Sequence, residues 1–123
     1  MADVAGLIPG ESFLGLYLHY LFRHMVQLDI YQQISSKKEE IIRLAGKYGA
    51  SHIRIFGSVA RGTASEKSDI DFLVELEPGR TLFDLGGFAY DLEKLLGRPV
   101  DVSTLPLLRE QVRGRVVREA VPL

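Results

Sequence analysis

The chain has 123 residues, 15 Lys and Arg against 16 Asp and Glu for a formal net charge of −1, 46% hydrophobic residues and no cysteine. Such a length suits one domain with a real core, and the composition is that of an ordinary globular protein. The lack of cysteine excludes a disulfide scaffold, a thiolate zinc site, an iron–sulfur cluster and a thiol nucleophile, and the near-zero charge excludes a nucleic-acid binder that works by bulk electrostatics.

The most hydrophobic stretch runs from Phe13 to Ile30. His19, Arg23, His24 and Asp29 interrupt it, so no membrane span is expected. Asp3 and Glu11 precede it without any Lys or Arg, which argues against a signal peptide. With no cysteine to oxidise, the expected location is the cytoplasm. Leu14, Leu18, Leu21, Met25 and Leu28 recur at spacings of three and four, which predicts an amphipathic helix docked on the domain or on a partner. The other reading is a start upstream of a natural initiator at Met25. Residues 1–36 are thus read as an N-terminal extension and 37–123 as the functional domain. His19 and Arg23, one turn apart, read as a solvated edge.

Ser36 and Glu39 have the spacing of a capping box, and Ile41, Ile42, Leu44, Ala45 and Tyr48 then predict a helix that stops at Gly49. Ser51 to Phe56 alternates as a strand. Gly57 breaks the strand, and Gly57-Ser58 leads into a short helical turn at Val59-Ala60-Arg61. Asp69 to Leu76 alternates again, with Ile70, Phe72 and Val74 on one face and Asp69, Asp71, Leu73 and Glu75 on the other. Pro78-Gly79 ends it. Thr81 caps a helix that runs to Leu96 and stops at Gly97. Gly86-Gly87 inside that helix points to close packing or to a kink. Pro99 to Ser103 is a short third strand, with Val100 and Val102 facing the core and Asp101 opposite. Leu105 to Ala120 reads as one last helix. Its Arg109, Arg113, Arg115 and Arg118 read as a solvated face with Glu110 and Glu119 as local partners, and its Leu107, Leu108, Val112 and Val116 stripe as core packing. The alternation predicts an α/β (α+β) fold, a small mixed sheet with helices packed on it.

The chemistry sits between residues 57 and 71. Asp69 and Asp71 stand two apart on a strand, so both side chains share one face. Two adjacent anions there are tolerable if they hold a divalent cation or meet water. Oxygen-only ligands suit Mg²⁺, which keeps several waters and takes further ligands from substrate phosphates, whereas no cysteine and three histidines argue against zinc. A strand-to-helix turn at Gly57-Ser58 offers free N–H groups to phosphate, and Arg61 adds a positive contact. If the strand of Asp101 lies beside that of Asp71, three carboxylates converge, able to hold metal, activate a hydroxyl and stabilise a pyrophosphate leaving group.

Gly57-Ser58, ten residues, then Asp69-x-Asp71, within Phe-Gly-Ser-Val-Ala-Arg-Gly-Thr-Ala-Ser-Glu-Lys-Ser-Asp-Ile-Asp-Phe-Leu-Val-Glu, resembles the DNA polymerase β-like nucleotidyltransferase superfamily and, within it, the minimal nucleotidyltransferase (MNT) branch. The resemblance covers about residues 37–122. It implies a nucleotidyltransferase, polymerase β palm-like, fold. It also implies that Gly57 and Ser58 hold the phosphates of ATP, that Asp69 and Asp71 bind Mg²⁺, and that Asp101 completes the triad as the base toward an acceptor hydroxyl. The resemblance further implies the antitoxin of a HEPN/MNT toxin–antitoxin pair. The resemblance therefore implies transfer of AMP to a tyrosine of a HEPN-domain RNase toxin, with no direct contact to nucleic acid. About 20 residues follow the third strand, too few for an acceptor domain, which fits an acceptor on another protein. Two other functions are compatible with the sequence: an antitoxin that acts by complex formation alone, and an adenylyltransferase of small molecules.

Overall fold

A computed structural model describes residues 13–123; Asp3 and Glu11 lie outside them. The elements in order are α1 (Phe13–Ser36), α2 (Lys38–Lys47), β1 (Ala50–Phe56), α3 (Gly57–Arg61), β2 (Ile70–Leu76), α4 (Leu82–Leu96), β3 (Val100–Ser103), a 3₁₀ turn (Leu105–Leu107), α5 (Glu110–Glu119) and β4 (Val121–Pro122). The four strands form one sheet in the order β3-β2-β1-β4. β1 runs antiparallel to β2 and to β4, and β2 runs parallel to β3, so the sheet is mixed, as the alternation predicted.

The period-two pattern of β2 decides which way the sheet faces. Ile70, Phe72 and Val74 enter the main core with Ile55, Leu85, Phe88 and Leu92, beneath α2, α4 and the second half of α1. Leu73 points the other way and is nonetheless fully buried, in a smaller cluster with Phe56 of β1 and Val116 of α5. The face that carries the aspartates is therefore roofed on one side rather than open throughout.

Local chemistry explains both ends of α4. Thr81 accepts from the Phe83 N–H while Asp84 accepts from the Thr81 N–H at 2.8 Å, a complete capping box for α4. Gly97 closes the helix in the left-handed conformation. Close packing accounts for Gly87, since a Cβ there would run into the Tyr48 ring. The helix therefore lies directly on α2's C-terminal turn, where Tyr48 also donates to Asp91 at 2.6 Å.

Three local expectations need correction, and one strand was not expected. The leucine stripe of α1 does not dock on the domain: Leu14, Leu18, Leu21, Met25 and Leu28 are all exposed. The buried side is Gln27, Ile30 and Ile34, on roughly the opposite face at about 100° per residue. These residues share a core with 41–100, so the packed unit already includes part of the segment before residue 37. Ser36 does not cap α2, because α1 extends through it and its hydroxyl donates back to the Gln33 carbonyl. The last helix is not continuous from Leu105. Pro106 lies in a separate 3₁₀ turn, Leu108 and Arg109 are extended, and Arg113 ties the break by donating to the carbonyls of Leu108 and Pro106. β4, only two residues long, carried no pattern that alternation could reveal.

Candidate active site

The site is built where β1 ends. Gly57 follows Phe56 with φ +74, a conformation glycine adopts without cost. A Cβ at this position would collide with the Asp71 carboxylate, so the turn and the aspartate are packed directly on one another. From Gly57 the chain makes the single helical segment α3 and leaves it at Gly62, also left-handed, with the Thr63 N–H donating to the Ser58 carbonyl at 2.9 Å.

Sheet register brings the acidic residues together. Across the parallel pair β2/β3, Asp71 stands opposite Asp101. Registered residues on adjacent strands share a face, with strands about 4.8 Å apart. Asp69 lies one residue before β2 and two before Asp71. Asp71 is half-buried, while Asp69 and Asp101 are exposed. Burial pushes the Asp71 carboxyl up to about 6, with the neighbouring charges of Asp101 and then Asp69 adding to the shift.

These surroundings call for a cation. An oxygen-only donor set with one partly desolvated member fits Mg²⁺ in particular, whose shell is commonly shared among carboxylates, water and substrate phosphate. Among the described residues, no three Asp, Glu, His or Cys side chains stand as a cluster able to hold a metal ion by themselves.

Arg61, picked out from sequence as a phosphate contact, closes the far side of the turn. Its Nη1 donates to both oxygens of Glu119 at 3.2 and 3.0 Å, and Glu119 also accepts from the Gly57 N–H at 3.2 Å. Glu119 is thus engaged with the turn rather than with the arginines of its own helix.

Two further residues hold the loop between α3 and Asp69. The buried Gln27 of α1 donates to the Val59 carbonyl at 2.7 Å and accepts from the Ala64 N–H at 3.2 Å. Arg98 donates through Nη1 to the carbonyls of Ser65, Glu66 and Ser68 at 3.3, 2.9 and 3.0 Å. Neither sits in a recognisable motif. The one visible sign of Gln27 is a polar residue in a largely apolar run.

Comparison with known proteins bears on this geometry. Residues 26–122 match the family model described as Nucleotidyltransferase domain. The chain is 42% identical over 88 residues to a candidate protein adenylyltransferase of Methanocaldococcus jannaschii, covering 72% of this chain and 95% of that protein. It is 37% identical over 78 residues to the protein adenylyltransferase MntA of Thermococcus cleftensis, covering 63% of this chain and 79% of that protein. Among solved structures, a candidate minimal nucleotidyltransferase superposes with a TM-score of 0.68 at 43% identity, over 75% of this chain and 94% of that one. A chain from a toxin–antitoxin crystal structure with AMP-PNP superposes with a TM-score of 0.59 at 26% identity, over 68% of this chain and 69% of that one.

Proposed function

The chain belongs to the nucleotidyltransferase-domain family, and on that premise we propose that it is the antitoxin of a toxin–antitoxin pair, a Mg²⁺-dependent protein adenylyltransferase that moves AMP from ATP to a tyrosine hydroxyl of a HEPN-domain RNase toxin. The observation that carries this reading is the register of Asp71 against Asp101, with the glycine turn seated on Asp71. The MntA relative and the AMP-PNP-bound toxin–antitoxin structure support the nucleotide and the kind of partner. No described helix is long and apolar enough to cross a membrane.

In this proposal Asp69, Asp71 and Asp101 hold Mg²⁺. When bound, that ion neutralises triphosphate charge and lowers the barrier to attack at phosphorus. The N–H groups and hydroxyl of Gly57-Ser58 orient the phosphates, and Arg61 adds a charged contact. Asp101, the most open of the strand aspartates, accepts the proton of the tyrosine hydroxyl. The tyrosine oxygen bonds to the α-phosphorus as the bond to pyrophosphate breaks, and positioning carries much of the rate.

The test is direct. The protein is incubated with Mg²⁺, ATP labelled at the α-phosphate, and the HEPN-domain product of a neighbouring gene. Label is expected on a tyrosine of that product and is expected to vanish with Asp69→Ala/Asp71→Ala. Equal labelling by the double variant overturns the assignment of these aspartates.

A further inference from the structure

Glu119 is the last residue of α5 and lies 58 positions from Arg61 in the chain. Its position is set by packing. Val116, one turn earlier, is almost fully buried against Phe56 and Leu73, and Phe56 is the residue immediately before the glycine turn. The helix is therefore anchored on the same strand end that it reaches over.

The pair it makes with Arg61 is asymmetric. The Glu119 side chain is 14% exposed and that of Arg61 is 45% exposed. The carboxylate is the fixed, sheltered member, held by the Gly57 N–H as well as by the guanidinium. Only Nη1 of Arg61 is committed to it. A guanidinium has five N–H donors in a rigid plane, so Nε and Nη2 remain for a second anion. A further negative charge so close to the aspartates and to a triphosphate is electrostatically unfavourable unless it does something for the site.

We propose that Glu119 is a positioning residue for the nucleotide. It fixes the Arg61 guanidinium and the Gly57 peptide in place, so that the remaining donors of Arg61 meet the triphosphate already oriented. This rests on the nucleotidyltransferase reading above. The opposite role, a carboxylate that occupies the phosphate position and must be expelled, predicts the reverse sign for the same variant.

Binding calorimetry with MgATP on the full chain separates the two. Glu119→Ala is expected to weaken MgATP about 10-fold, the scale of a charge-assisted contact. Glu119→Gln keeps an oxygen for the Gly57 N–H and is expected to lose less. Because Glu119 acts in part through Arg61, the losses of Arg61→Ala and Glu119→Ala are expected to be less than additive in Arg61→Ala/Glu119→Ala. A merely structural role would instead give additive losses that follow the fall in Tm measured on the same samples. Unchanged or tighter MgATP binding by folded Glu119→Ala overturns the proposal, as do additive losses. Failure of the wild-type protein to bind MgATP at all would instead remove the nucleotide reading on which it stands.

Discussion

The two faces of the sheet obey opposite rules, and β2 carries both. Its even-numbered residues Ile70, Phe72 and Val74 are fully or almost fully buried in the large core. The odd-numbered Asp71 sits half-buried against Asp101, Phe56 and the glycine turn, and only at Leu73 does that face become apolar again. One face is crowded with helices and gains stability from burial. The other is covered just enough, by Val116 and its neighbours, to hold α5 in place. A charged site this near a core is possible because alternate side chains of one strand need not share an environment.

If that division is real, adjacent residues should fail in different ways. Phe72→Ala removes a fully buried ring and should cost about 3–5 kcal/mol of folding free energy, read as a large fall in Tm. Asp71→Ala should lower AMP transfer by about 10³-fold or more, in line with lost electrostatic stabilisation of a transition state, with no fall in Tm. A Phe72→Ala protein that stays as stable as wild type, or an Asp71→Ala protein that unfolds, would break the distinction.

Gly57→Ala tests the seam between the faces. The substitution asks for a Cβ at φ +74, where an L-residue is strained, and drives it into the Asp71 carboxylate. The expected loss is about 1–3 kcal/mol in stability, with transfer falling further than stability alone explains because Asp71 is pushed from its place. Gly62→Ala is the control: it shares a positive φ but meets nothing within 4 Å, so it should show the strain without the loss of Asp71.

The same seam separates what sequence reading reaches from what it misses. The alternation of β2, the Thr81 cap and the turn-then-aspartates spacing are local patterns within a few residues, and they are legible for that reason. Asp101 is legible through its own short strand, although which strand it pairs with is visible only in the sheet order. The links that hold the site together are not local. Glu119 meets Arg61 only because Val116 seats α5 on Phe56 and Leu73, and Gln27 meets Ala64 only because α1 docks on the opposite side from its leucines. Long-range pairing of single polar residues leaves no period to detect. The break at Pro106 fails differently: the proline is plain to see, but the apolar stripe around it favours reading straight through.

The finest test of the division is the effect of pH on stability in the metal-free protein. Asp71 titrates near 6 when folded, above its ordinary value of 3.8, chiefly because burial disfavours its charge and secondarily because of Asp101 and Asp69. Below about pH 4 the group is protonated in both folded and unfolded chains, and its contribution to stability is fully present. As pH rises through 6 the unfolded chain has already released its proton while the folded one gives it up at a cost, so the stability this residue lends at low pH is lost. After allowance for screening of a half-exposed carboxylate, the cost at pH 7 is about 1 kcal/mol. Asp71→Asn should therefore be more stable than wild type at pH 7 in EDTA and match it near pH 4, as followed by denaturant unfolding. Adding Mg²⁺ at pH 7 should raise the Tm of wild type and leave that of Asp71→Asn nearly unmoved. A wild-type protein whose advantage over the variant grows with pH would show that Asp71 is held by a partner in the fold, and that the site face is built for stability after all.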